Sequence, residues 1–193
     1  WAETAKPDDK PAAKDAVEAP KDKPEESDKS KAGDKAKDVP KKSETKHHIT
    51  IEGKAIDYTA TAGLMPLKDK DGKATTAQIF YIAYTKDGVT DPARRPLTFS
   101  FNGGPGSSSV WMHMGLLGPK RVKLQENGFA VPPPYESIDN EYSLLDETDL
   151  VFIDPVGTGY SRPAKPELGK KFWGVQGDIA SVGEFIRLYL TRY

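Results

Sequence analysis

Alternating apolar and polar positions dominate residues 47–67. Ile49 and Ile51 alternate with polar neighbours, Ile56 continues the alternation further on, and Gly53 interrupts it. Because side chains along a strand repeat with a period of two, the pattern predicts one bent strand or a hairpin that turns at Gly53.

Later segments also have the apolar content of strands. Residues 77–85 and 97–101 are predicted as the second and third strands, and turn residues flank both. Residues 150–153 are apolar throughout, which is typical of a strand buried on both faces. Residues 121–124 and 128–145 are predicted as irregular or edge structure, because three consecutive prolines forbid a central strand there.

Two segments favour helices. The shorter begins at Ser108 or Ser109, which suit the N-cap position, and stops at Gly118 and Pro119. The longer covers residues 177–193 and carries its apolar side chains on one helical stripe. That stripe consists of Ile179, Val182, Phe185, Ile186, Tyr189 and Leu190.

The order of these elements indicates the α/β class. Three strands are followed by a short helix, a strand and a long helix, and a helix packed on a parallel sheet normally leads into another strand. The sheet is therefore expected to be incomplete within residues 47–193, which we predict to be the N-terminal part of a larger domain.

Composition separates residues 1–46 from the rest of the chain. They contain 12 lysines, 12 acidic residues and five prolines, with no aromatic residue after Trp1. So little apolar area cannot offset the entropy lost on ordering, and a disordered, charged linker is predicted. Because the charges balance, we expect no nucleic-acid partner.

The net charge and composition of the whole sequence give no reason to expect several other classes of function. A formal net charge of −1 and the lack of a long apolar run give no reason to expect membrane insertion. The chain has no cysteine, which excludes disulfides and thiolate chemistry. We expect no cofactor and no metal, since His47 and His48 lack a third ligand at useful spacing and Asp146, Glu147 and Asp149 are interpreted as a solvated strand entry. A charged Pro/Lys/Ala linker is typical of exported bacterial proteins and predicts a periplasmic or extracellular location.

The stretch NGGPGSSS, residues 102–109, directly follows the third predicted strand. A phosphate-binding loop would end in Gly-Lys-Ser/Thr, and a dinucleotide-binding loop would have a third glycine three residues after the second; both features are missing. An oxyanion hole is the third use of such a loop, because bare backbone N–H groups can approach a developing negative charge. A tight strand-to-helix turn without chemistry is the alternative at this point.

Two motifs resemble those of the serine carboxypeptidases, peptidase family S10. Residues 102–109 are similar to that family's Asn-Gly-Gly-Pro-Gly-Cys-Ser-Ser, and Gly118-Pro119 lies at the spacing of its next Gly-Pro. Residues 154–161, DPVGTGYS, resemble its Asp-x-Pro-Val-Gly-x-Gly-Phe-Ser segment without the residue before the proline. The resemblance implies an α/β-hydrolase fold from Ile49 onward and hydrolysis of a C-terminal peptide bond.

The resemblance also implies roles for individual residues. Gly104 would give its backbone N–H to the oxyanion hole, which is the catalytic contribution expected of this chain. Asn102 and the Gly103 N–H would bind the free carboxylate of a peptide substrate, and Trp111 would line the pocket for its last residue. Amide donors of both kinds suit a carboxylate. The segment that begins at Asp154 is expected to shape the sheet edge beside the site rather than to perform chemistry.

Two positions depart from the family pattern. Ser107 stands where the family has a cysteine. Leu116 stands where the family often has a glutamate that helps to bind the substrate carboxylate at acid pH. The second departure keeps open an esterase or acyltransferase of the same fold.

The catalytic triad is expected outside this sequence. No Gly-x-Ser-x-Gly nucleophile motif occurs, so the chain alone is predicted to be inactive. Residues 107–109 are interpreted as caps and turn formers rather than nucleophiles, and His113 as a packing or rim residue. A non-catalytic envelope or binding protein is the alternative of a different class.

Overall fold

The computed structural model describes residues 42–103 and 106–193. The predicted linker therefore lies outside the described residues as far as position 41. The strands are β1 (Lys42–Ile51), β2 (Lys54–Lys68), β3 (Thr75–Lys86), β4 (Leu97–Ser100), β5 (Lys120–Val122), β6 (Ser137–Asp139), β7 (Asp149–Ile153) and β8 (Arg162–Pro163). The helices are α1 (Val110–Met112), which a π-helical turn continues over His113–Leu117, and α2 (Val175–Arg192).

The first two strands form a hairpin, which decides between the two predicted arrangements. They pair antiparallel around a two-residue turn in which both Glu52 and Gly53 have positive φ. Such a turn matches the right-handed twist of the strands. The predicted boundary at residue 47 was wrong, because β1 begins at Lys42 and its polar first half pairs with β2. Lys46 extends from this half to the Asp87 carboxylate at 2.9 Å, a contact that the local sequence could not reveal.

The main sheet has the order β1-β2-β3-β7-β4, and β8 adds to one end of β3. All neighbours are antiparallel except β4 and β7, which run parallel with Leu97 opposite Asp149. Parallel pairing requires a long crossover, and residues 101–148 supply it. As a result, the chain leaves β4 and β7 at the same edge of the sheet, where Ser109 of the first motif contacts Asp154 of the second.

One face of the sheet is covered by α2. Phe185 is fully buried, with its ring 5.4 Å from that of Tyr81, and Tyr189 packs edge-on against Tyr81 and Phe99. The apolar stripe predicted for this helix is therefore buried at its centre, as expected. The prediction was wrong at the margin of the stripe, since Ile179 and Leu190 are 64% and 59% exposed. The apolar stripe of the helix therefore extends beyond the surface that the described residues cover.

The opposite face packs against α1 and the turn that precedes β7. Leu150 and Phe152 of β7 are buried here with Leu145, and Met112 and Leu117 cover them in part. Because β7 has apolar contacts on both faces, its uninterrupted apolar sequence is explained.

Residues 120–139 contain regular structure that the sequence did not predict in detail. Lys120–Val122 and Ser137–Asp139 form a separate two-stranded antiparallel sheet. Three ion pairs link its two sides: Lys120 with Asp139, Arg121 with Glu141 and Lys123 with Glu136. Each of these two strands pairs only with the other among the described residues, which agrees with the predicted edge structure.

A mixed sheet with a long helix on one face agrees with the predicted α/β class and with part of an α/β-hydrolase-like fold. Among the described residues, no helix is both long enough and apolar enough to cross a membrane.

Candidate active site

The glycine-rich loop follows β4 and opens onto a cleft of about 580 Å³. Asn102, Gly103 and Gly106 form one wall of this cleft. Gly104, the predicted oxyanion donor, lies outside the described residues together with Pro105. The cleft is therefore lined by two of the predicted substrate-binding residues, Asn102 and Gly103, and by Gly106 from the same loop.

The Asn102 side chain is oriented by the helix that follows the loop. Its Oδ1 accepts a hydrogen bond from the Met112 backbone N–H at 3.2 Å. Since an N–H group can bond only to the oxygen of the amide, this contact fixes which end of the side chain faces the helix. The Nδ2 group is left as a donor, and it has no hydrogen-bond partner among the residues that the structure describes.

Asp154, at the end of β7, connects the second motif to the first. Its side chain is buried, and Oδ1 accepts hydrogen bonds from both the backbone N–H and the hydroxyl of Ser109 at 2.9 Å. Oδ2 accepts the Tyr160 N–H at 3.3 Å. Ser109 occupies the position before α1, as predicted, but its hydroxyl donates to Asp154 instead of capping the helix.

Two glycines of the second motif allow close approaches at the cleft. Gly157 has φ +95°, and a Cβ at this position would lie 2.7 Å from Nε1 of Trp173. Gly159 has φ +45°, and a Cβ there would overlap the Asp154 carboxylate. Arg162 also contacts this loop, and its guanidinium donates hydrogen bonds to the Gly159 and Ser161 carbonyls at 2.8 Å. Both glycines are therefore required by their surroundings.

The far wall of the cleft was missed by the sequence analysis. It comes from the segment that leads into α2 and from the first turn of that helix. Trp173 and Val175 contribute apolar surface there, and Asp178 contributes a carboxylate. The only local signal was an aromatic pair, Phe172 and Trp173, placed next to a glycine, which by itself does not indicate a site.

Trp111 lies on α1 and is 69% exposed. It is not among the residues that line the cleft, so its predicted contact with a substrate side chain remains a prediction. Leu116, at the position of the family glutamate, is likewise exposed, at 56%.

His113 is buried beside the glycine loop and packs in the core, one of the two predicted positions. Its Nε2 lies 2.6 Å from the Tyr84 hydroxyl, and its ring packs 4.6 Å from that of Phe152. Burial lowers the pKa of His113 to about 4, and the negative charge of Asp154 opposes this effect only in part. The imidazole is therefore neutral at physiological pH.

Other predicted polar features have structural partners. His47 and His48 are exposed on β1, and His47 shares a 2.7 Å hydrogen bond with Thr45. Asp149 accepts from the Lys86 N–H and from the Arg95 guanidinium, with the latter distance 2.7 Å. Within residues 42–103 and 106–193, no serine hydroxyl is hydrogen-bonded to a histidine.

A glycine-rich loop that follows a parallel-paired strand and lines a cleft agrees with part of an α/β-hydrolase-like fold. Comparison with known proteins identifies the family within that class. The sequence model of the serine carboxypeptidase family matches residues 51–192. The chain belongs to this family.

Individual relatives agree with that assignment. The pheromone-processing carboxypeptidase KEX1 of Saccharomyces cerevisiae is 32% identical over 113 residues, which cover 56% of this chain and 14% of that protein. Serine carboxypeptidase-like 36 of Arabidopsis thaliana is 34% identical over 118 residues, covering 59% of this chain and 21% of that protein. The chain thus matches well under a quarter of the length of these relatives.

A solved structure is also similar. The crystal structure of Kex1(Δ)p, a prohormone-processing carboxypeptidase from Saccharomyces cerevisiae, has a TM-score of 0.43 and 32% identity. The match covers 56% of this chain and 22% of that one.

Proposed function

We propose that the full-length protein is a serine-type carboxypeptidase that releases C-terminal residues from peptides through an acyl-enzyme intermediate. The observation that carries the proposal is the orientation of Asn102 in a chain of the serine carboxypeptidase family. Its oxygen is bound to the Met112 N–H, so its Nδ2 donors are available to an anion in the cleft. A free C-terminal carboxylate is the anion that every peptide substrate of such an enzyme carries.

In the proposed reaction, this chain contributes substrate-binding and oxyanion-binding groups, and residues outside it contribute the catalytic triad. A serine attacks the scissile carbonyl, and a histidine acts first as base and then as acid. We assign both groups, and the aspartate that orients the histidine, to positions outside residues 1–193. The Gly104 N–H stabilises the tetrahedral oxyanion, while Asn102 and the Gly103 N–H hold the substrate carboxylate. On this proposal the chain alone is inactive.

The residues that line the cleft favour a substrate whose C-terminal residue has an apolar or aromatic side chain. Trp173, Val175 and Val156 provide the apolar surface. Burial of such a side chain contributes roughly 1.5–3 kcal/mol. We also keep export from the cytoplasm as part of the proposal, on the composition of residues 1–46.

Ester hydrolysis is the second candidate, and Leu116 favours it. Its exposed apolar side chain replaces a carboxyl group that would assist recognition of a free C-terminus. An esterase would use the same oxyanion donor without any need for Asn102 to bind a carboxylate.

The substitution Asn102→Asp in the full-length enzyme separates the two candidates. Aspartate keeps the acceptor for the Met112 N–H but replaces the Nδ2 donors with negative charge. A hydrogen bond to a charged group is worth roughly 1.5–3 kcal/mol, so kcat/KM for a peptide with a free C-terminus should fall about 10- to 100-fold, mainly through KM. Hydrolysis of an ester without a free carboxylate should change little.

Asn127→Asp is the matched control. Asn127 also accepts a backbone N–H through its side-chain oxygen, that of Phe129 at 3.1 Å, but it lies exposed and away from the cleft. An equal loss on both substrates in Asn102→Asp would reject carboxylate recognition. A wild-type enzyme that cleaves esters and no peptide would reject the carboxypeptidase.

A further inference from the structure

Both ends of the glycine-rich loop are held by side chains. Asn102, at its start, accepts the Met112 N–H, and Ser109, at its end, donates twice to Asp154. Since α1 begins directly after Ser109, the two contacts place the loop and the helix as one unit. The intervening glycines have no side chains with which to hold their own position.

The Asp154 carboxylate is enclosed by donors. Three hydrogen bonds reach it, two from Ser109 and one from the Tyr160 N–H, and only 5% of the residue is exposed. Gly159 packs against the same carboxylate so closely that no Cβ could be placed there. An acceptor is required at both oxygens, because the backbone N–H groups of Ser109 and Tyr160, one on each oxygen, can only donate.

Asp154 is in turn anchored to the sheet. Its backbone N–H donates to the Phe80 carbonyl at 3.0 Å, and its carbonyl accepts the Ser161 hydroxyl at 2.6 Å. The Ser161 oxygen accepts the Phe80 N–H at 2.7 Å, and Ser161 is completely buried. A continuous chain of short contacts therefore leads from the middle of β3 to the end of the glycine loop.

We propose that Asp154 is a positioning residue that sets where the glycine loop presents its backbone N–H groups. It acts through Ser109 and touches no substrate. The catalytic part of this role rests on the proposed function, because the groups that it places are the oxyanion and carboxylate donors. The sequence analysis expected the Asp154 segment to shape the sheet edge beside the site, and the role inferred here is more specific.

The test uses four variants of the full-length protein: Asp154→Asn, Ser109→Ala, Ser109→Thr and Ser107→Ala. Asparagine keeps the size of Asp154 but directs an NH2 group toward a neighbouring donor. Ser109→Ala removes one donor, and threonine restores it. Ser107 is the control, since it lies in the same loop and has no hydrogen bond among the described residues.

Two readouts are measured on protein whose folded fraction is checked by circular dichroism. Hydrogen exchange of the peptide spanning residues 102–113 should accelerate at least tenfold in Asp154→Asn, less in Ser109→Ala, and not in the threonine or control variants. A misplacement of about 1 Å costs roughly 100-fold in rate, so kcat should fall 10- to 100-fold in Asp154→Asn with a smaller change in KM. Ser109→Thr should recover most of the activity.

The two readouts separate the inference from the proposed function. Unchanged exchange in Asp154→Asn would overturn the inference whatever the activity. Accelerated exchange with wild-type kcat per folded molecule would also overturn it, because Asp154 would then contribute only to stability. If the wild-type protein hydrolyses no peptide, the proposed function fails, and the positioning role stands or falls on the exchange data alone.

Discussion

Replacing His113 with glutamine should make the stability of the protein less dependent on pH. The imidazole is buried against Phe152 and bonded to the Tyr84 hydroxyl, and burial lowers its pKa to about 4 from an ordinary value of 6.5. The unfolded chain therefore binds a proton at a higher pH than the folded one. The stability that depends on a neutral His113 is fully present above pH 6.5 and is lost as the pH falls toward 4.

The size of this pH effect on stability follows from the interval between the ordinary and the lowered pKa of His113. Each pH unit between the two pKa values corresponds to about 1.4 kcal/mol, so the full effect is ~3 kcal/mol in the free energy of unfolding. Glutamine retains a polar group for Tyr84 but does not titrate. It should lower the stability at pH 7, where the fit of the imidazole is lost, and the difference from wild type should shrink steadily below pH 6.5.

Urea unfolding of the full-length protein and the His113→Gln variant, at intervals from pH 7 to pH 4, measures this difference directly. Other titrating groups affect both proteins and cancel in the comparison. Ser107→Ala is the control, since it removes no titratable group and should leave the curve parallel to that of wild type. Parallel curves for wild type and His113→Gln would refute the reasoning.

Two further substitutions test the packing around the site. Gly159→Ala forces a Cβ onto the Asp154 carboxylate at a positive φ and should destabilise the protein by ~2–4 kcal/mol, whereas Gly183→Ala, in open space on α2, should stabilise it by ~0.5–1 kcal/mol. Thermal unfolding of both variants checks the two signs, and a stable Gly159→Ala would disprove the close contact. Arg95→Gln should cost ~3 kcal/mol, because it leaves the half-buried Asp149 carboxylate without its 2.7 Å partner. A loss below ~1 kcal/mol, measured by urea unfolding, would mean that solvent replaces the guanidinium.

Local pattern was sufficient to predict β2, β3, β4 and β7 of the main sheet, but not β8 or the first half of β1. Alternation identified β2, apolar content between turn residues identified β3, and an uninterrupted apolar run identified β7, because these patterns follow from the period of a strand and from burial on one or both faces. The turn at Gly53 was also visible, since a left-handed backbone favours glycine. The motifs of residues 102–109 and 154–161 identified the family.

What the sequence could not predict depends on contacts between distant residues. The first half of β1 is polar, and only its pairing with β2 makes it a strand. Ile179 and Leu190 belong to the apolar stripe by sequence, yet both are exposed, because the helix periodicity does not show which part of the stripe other elements cover. Trp173 lines the cleft with Asn102 and Gly103, which lie about 70 positions earlier in the sequence, so no local pattern could reveal the contact.

The contacts of the main sheet differ in the number of residues that separate the two contacting segments along the chain. The hairpin of β1 and β2 closes through two residues, and β2 meets β3 after a short turn. By contrast, β4 reaches β7 across the whole crossover, and Ser109 and Asp154 are 45 positions apart. Closing a longer loop costs more chain entropy. The antiparallel meander of β1, β2 and β3 therefore forms with the smaller loss of chain entropy. The contacts that shape the cleft close longer loops than those of the meander, so we expect a general loss of stability to reach the site before it reaches the meander.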